Sequence, residues 1–112
     1  MTDKPQDRRK FERVPIPASG RLYMTDTAGR KLGAVRMLGR GGFLLESKVD
    51  FQPGDRHHML LVDEQDGIRR HLHVVVRYVS PEGIGFEFER LEPDAAVDVG
   101  IIIGRFYHPV RR

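Results

Sequence analysis

The stretch Ile68-Arg69-Arg70-His71-Leu72-His73-Val74-Val75-Val76-Arg77-Tyr78-Val79, IRRHLHVVVRYV, decides the fold class. Its even positions are Ile68, Arg70, Leu72, Val74, Val76 and Tyr78; its odd positions are Arg69, His71, His73, Val75, Arg77 and Val79. One face is nearly all apolar and the other mostly basic. Alternation with period two is the signature of a half-buried β-strand, because successive side chains on a strand point to opposite sides of the sheet.

Working outward, the same period recurs on both sides, punctuated by turn residues. In VPIPASGRLYMTD, Ile16, Ala18, Leu22 and Met24 share one face, and Ser19, Arg21 and Tyr23 share the other. DTAG (Asp26 to Gly29) supplies a turn, RKLGAVRML a second strand, and GRGG (Gly39 to Gly42) a break. FLLESKV and HHMLLVD follow as third and fourth strands, with PGD between them and EQDG leading into residues 68–79. SPEG then turns the chain into IGFEFE, where Ile84, Phe86 and Phe88 align. After Pro93 and Asp94, which suit a helix start, Val97, Ile101 and Phe106 recur at near-helical spacing, and Arg105 and His108 suit a last turn. The three isoleucines fit a strand as well, but the spacing predicts a helix. About six short strands with turns at regular spacing, then one C-terminal α-helix, predict a mainly β protein, a small antiparallel barrel or sandwich. The expected organisation is a basic N-terminal arm over 1–13, a barrel over 14–91, and a helix and tail over 92–112.

Bulk properties bound the function. The chain has 112 residues, enough for one domain, with 39% hydrophobic and 31% charged residues and no cysteine. No apolar run approaches the roughly 18 residues of a membrane span, and the N-terminus lacks an apolar signal core, so a cytoplasmic protein without a membrane partner is expected. A net charge of +3 is small for a general nucleic-acid binder, and none is expected as partner. No nucleophile elbow, Gly-rich phosphate loop followed by Lys, or HExxH occurs, so no catalytic residues are assigned and no enzyme is expected. His71 and His73 point the same way on a strand, and His57-His58 lies one hairpin away. Arg69 and Arg77 share that face and repel a cation, so no metal ligands and no cofactor are assigned.

The chemistry concentrates elsewhere. In DRRKFER (Asp7 to Arg13), Arg9 and Arg13 lie four apart, with Arg8 and Lys10 adding charge and Phe11 between them. A guanidinium is a planar fork of donors that grips a phosphate bidentately or reads O6 and N7 of guanine. Two such forks suit a ligand carrying phosphates and guanines; a solvated basic tail is the alternative.

At this point the sequence resembles the PilZ domain family. DRRKFERVPI resembles that family's RxxxR motif, with Arg9 and Arg13 as its two arginines; RMLGRGGFLLES stands where the family has (D/N)xSxxG; GIGFEF resembles its late strand. The resemblance covers roughly residues 7 to 108. It implies a six-stranded barrel with a C-terminal helix and binding of cyclic di-GMP, Arg9 and Arg13 holding guanines and phosphates as the arm closes, with Arg8 as a further phosphate contact. The second motif departs from the pattern: Met37 stands in place of Asp or Asn, Gly39 in place of Ser, and only Gly42 agrees. Met37 offers a weak sulfur acceptor and Gly39 no side chain. Two lost hydrogen bonds at about 1–3 kcal/mol each weaken binding on the order of 100-fold. Gly39 instead lets backbone N–H groups approach an anion, and Arg36 and Arg40 add cations beside it. Gly41 and Gly42 read as a tight turn requiring positive φ.

The expected ligand-binding set is therefore Arg8, Arg9, Arg13, Arg36, Gly39, Arg40 and Gly42. The expected function is a cyclic di-GMP receptor that orders its N-terminal arm and changes the surface shown to a protein partner. The alternative, which Met37 and Gly39 favour, is a divergent adaptor for motility or pilus machinery that does not bind the nucleotide. Ile101 to Ile103 are available to pack on the barrel or, in a homodimer, on a second subunit.

Overall fold

A computed structural model of the chain describes residues 13–17 and 21–107. Seven strands, β1 (Arg13–Pro15), β2 (Leu22–Thr25), β3 (Lys31–Gly39), β4 (Gly42–Glu46), β5 (Arg56–Asp63), β6 (Ile68–Ser80) and β7 (Gly83–Arg90), precede one helix, α1 (Pro93–Phe106). The pairing runs β1-β3-β2-β5-β6-β7-β4, every neighbour antiparallel, and β4 returns to β3. Closure leaves a six-stranded barrel with β1 as an added outside strand.

The expected first strand is two. β1 takes the C-terminal half of one edge of β3, pairing Arg13 with Gly39 and Pro15 with Met37, and β2 takes the N-terminal half, pairing Tyr23 with Ala34. The prolines explain the interruption: neither Pro15 nor Pro17 has an N–H for the ladder, and only Ile16 between them donates, to the Arg36 carbonyl at 2.8 Å. The Asp26 turn is held by its own side chain, whose Oδ1 accepts from the Ala28 and Arg30 amides at 3.0 and 2.8 Å.

The core follows the alternation. Leu22, Met24, Val35, Leu38, Leu45, Met59, Leu61, Leu72, Val74 and Val76 are fully or almost fully buried. Phe43, Phe51 and Phe86 cluster within it, Phe43 and Phe86 stacked at 4.9 Å and Phe51 edge-on to Phe86 at 5.1 Å. Arg70, the exception on the apolar face of β6, meets Asp98 of α1 in an ion pair.

α1 packs on β6, β1 and β3 through Ala95, Val99, Ile102 and Ile103. Val97 and Ile101, whose spacing announced the helix, are exposed instead, while Phe106 is partly buried. Both stripes are apolar and helical in period, and the barrel selects the one that also brings Asp98 to Arg70 and Arg105 to Asp66. The second clasp is a network around Asp63, a carboxylate with no exposed surface. It accepts from Arg21 Nε at 3.3 Å and the Gln65 amide at 3.2 Å, while Arg21 lies over the Phe106 ring. The start of β2, the end of β5, the β5–β6 hairpin and the C-terminal end of α1 are thereby tied together. No helix among the described residues is long and apolar enough to cross a membrane.

Candidate functional site

The β3–β4 hairpin is closed by two residues, Arg40 and Gly41. Its tightness does not come from left-handed glycines: positive φ is found at Gly29, Gly54, Gly67 and Gly83, and not at Gly41 or Gly42 as expected. Gly42 is needed for close approach. It opposes Glu87 in the β4–β7 ladder, and a Cβ there would lie 2.0 Å from the Phe86 carbonyl oxygen. Gly41 accepts from the Phe88 amide at 2.9 Å, which ties the hairpin to β7.

Beside this hairpin opens a cleft of about 800 Å³. Its floor is Phe43, Phe86 and Phe88; its cations are Arg13, Arg40, Arg77 and Arg90; its carboxylates are Glu87 and Glu89. Arg13 arrives because β1 begins there, opposite Gly39, and Arg40 because it is the hairpin tip. Both carboxylates are already engaged, Glu87 with Arg77 and Glu89 with Arg56 at 3.1 Å. Among the described residues, Arg13, Arg40 and Arg90 have no carboxylate within ion-pair distance, so the cleft holds a surplus of positive charge over an aromatic floor.

Arg77 and Tyr78 reach this cleft through a defect in the ladder. Val76 opposes Phe86 and Tyr78 opposes Gly85, so Arg77 is an extra residue on β6. A bulge of this kind re-aims the side chains that follow it. Tyr78, expected on the apolar face and away from the basic one, is exposed and lines the same cleft as Arg77. Arg77, Tyr78 and Arg90 are the residues that reading the sequence missed. Arg77 and Arg90 were visible only as charges, and strict alternation placed Tyr78 on the wrong side.

Of the expected ligand-binding residues, the fold brings Arg13 and Arg40 together on the cleft. Gly39 is buried in β3, where it pairs with Arg13, and Met37 lies two residues back opposite Pro15 and Leu44. Arg36 is the extra residue of a second bulge, between Val35 and Met37. Its guanidinium pairs with Glu46 at 2.7 Å, and it does not line the cleft. Arg8 and Arg9 lie outside the described residues, as do Phe11, Ala18, Ser19 and His108.

A histidine cluster flanks the site. His58 opposes His73 across β5 and β6, with ring centroids 4.5 Å apart, and its Nε2 lies 2.7 Å from His71 Nδ1. Desolvation, then the neighbouring His73 and His71, lower the His58 pKa below the ordinary imidazole value. His57 turns away, edge-on to Phe51. Among the described residues no three such side chains are arranged to hold a metal ion.

The sequence matches the PilZ domain family over residues 7–102. The chain belongs to the PilZ domain family. No curated protein sequence matches it. Among solved structures it is similar to the PilZ domain with c-di-GMP of YcgR from Escherichia coli, at 18% identity and a TM-score of 0.67, over 88% of this chain and 91% of that one. At that identity the likeness speaks for the shared barrel and helix.

Proposed function

We propose that this PilZ domain is a cyclic di-GMP receptor and that the arginine-rich cleft is where the dinucleotide binds. The observation that carries the reading is the convergence of Arg13 from the RxxxR motif with Arg40 from the degenerate motif, joined by Arg77 and Arg90, on one aromatic-floored cleft. A cleft of about 800 Å³ lies within the usual range for small-molecule sites. Three guanidinium groups with no carboxylate partner among the described residues are the donors a ligand with two phosphates requires. The surplus charge also supports the receptor over an adaptor that has given up the nucleotide, since a surface released from that ligand has no need to hold like charges together.

Binding neutralises mutually repelling arginines. Arg13 stands at the head of β1, so a ligand held there draws the preceding segment, with Arg8 and Arg9, over the cleft mouth. Closure changes the surface offered to a protein partner, and that change is the signal. Arg40 supplies a cation the family motif does not require and partly replaces what Met37 and Gly39 lack. Calorimetric titration tests the reading: a Kd tighter than about 100 μM is expected, with the heat lost in Arg9→Ala and in Arg13→Ala. An unchanged heat in both variants would contradict it.

A further inference from the structure

Exposed aromatic residues are common and by themselves mean little. Tyr78 differs in how it is delivered and held. The extra residue Arg77 turns the strand so that Tyr78 leaves the apolar face and enters the cleft. There the ring fills the space of the missing side chain at its cross-strand partner: a Cβ on Gly85 would lie 2.2 Å from Tyr78 Cε2 and 2.4 Å from Cζ. The ring is thus braced by backbone, while 43% of the residue stays exposed toward a cleft that holds Arg13, Arg40 and Arg90, which have no carboxylate partner among the described residues.

A braced π surface beside these guanidinium groups is suited to a nucleobase carrying a phosphate. The base stacks on the ring while the cations hold the phosphate. Stacking needs no hydrogen-bonding edge, which matters here because Met37 and Gly39 offer almost none. We propose that Tyr78, seated on Gly85, is the platform on which a purine of the ligand stacks, and that it supplies a base contact the degenerate motif does not. The inference rests on the cleft being the cyclic dinucleotide site.

The chain has three tyrosines and no tryptophan, so tyrosine emission reads the platform directly. In Tyr23→Phe/Tyr107→Phe protein, Tyr78 is the sole tyrosine. Saturating cyclic di-GMP is expected to quench most of its emission, after correction for nucleotide absorption with N-acetyltyrosinamide. Tyr78→Phe should retain affinity within about threefold, and Tyr78→Leu should lose about tenfold or more. Calorimetric binding with no quenching of Tyr78, or with Tyr78→Leu within about twofold of the parent protein, would overturn the platform and leave the receptor reading standing. Absence of both heat and quenching would overturn both. If Tyr78→Leu does not fold, the sole-tyrosine protein decides alone.

Discussion

Replacing Glu87 with Gln should tighten cyclic di-GMP binding, by an amount that Coulomb's law sets for phosphates held in the same cleft. Glu87 is a cleft carboxylate paired with Arg77, the two side chains 49% and 58% exposed. A pair that open to solvent contributes little to stability, so Glu87→Gln should leave the melting temperature almost unchanged. Its effect on the ligand is larger. A phosphate about 7 Å from the carboxylate is repelled by about 0.6 kcal/mol in water, and two phosphates by about twice that. With a Debye length of about 30 Å in 10 mM salt, roughly 0.9 kcal/mol of this survives, so Glu87→Gln should tighten binding about fivefold. With a Debye length of about 8 Å in 150 mM salt the gain should fall to about twofold. Titrating both proteins by calorimetry at the two salt concentrations measures the difference. Unchanged or weaker binding by Glu87→Gln in 10 mM salt would refute the placement of the phosphates in this cleft.

Other expectations concern the scaffold. The folded-state pKa of His58 is below its unfolded value, so the unfolded chain takes up more protons as pH falls through about 6.5. Stability should therefore be greatest above that pH and decline below it, reaching a floor once the folded-state imidazole is also protonated; denaturant melts of the wild type and His58→Gln should show the slope in this window shrinking in the variant. Cβ atoms added at Gly100 and Gly104 meet nothing within 4 Å. Gly100→Ala and Gly104→Ala should each stabilise α1 by about 1 kcal/mol and raise the melting temperature by about 4 °C, and a fall in either would reveal a close contact at that glycine. Arg70→Met leaves Asp98, whose side chain is mostly buried, without its partner, and should lower the melting temperature more than Glu87→Gln does.

Residues 68–79 illustrate how much of this was legible in the sequence. Leu72, Val74 and Val76 are buried as their alternation requires, because a strand with one face on a core has no other way to place them. The barrel strands follow from the same alternation repeated, whereas the helix was legible from its near-helical apolar spacing and only the barrel decides which face it buries. Arg70 stood out as a charge on the apolar face, but its reason, Asp98, is 28 residues away and on another element. The bulge at Arg77 left no mark in the residue pattern. It depends on how β6 and β7 register, and it moves Tyr78 from the expected interior to the cleft. For the site, the spacing of Arg9 and Arg13 and the glycine-rich turn at 39–42 drew attention to two segments that the fold brings together through Arg13 and Arg40. Arg36 and Arg40 looked equivalent in the sequence. The fold separates them, because Arg36 falls in a strand bulge facing Glu46 and Arg40 at a hairpin tip facing the cleft.

In the proposed complex the dinucleotide is held between the start of β1, the β3–β4 hairpin, and the β6 bulge with β7. Amide chemical-shift mapping of the 15N-labelled chain during titration with cyclic di-GMP tests that most directly. Saturable shifts are expected at Arg13, at Gly39 to Gly42, at Arg77 and Tyr78, and from Gly85 to Leu91, with the His58–His71–His73 patch and α1 moving least. Shifts centred on that histidine patch or on α1, with the arginine cleft silent, would contradict it.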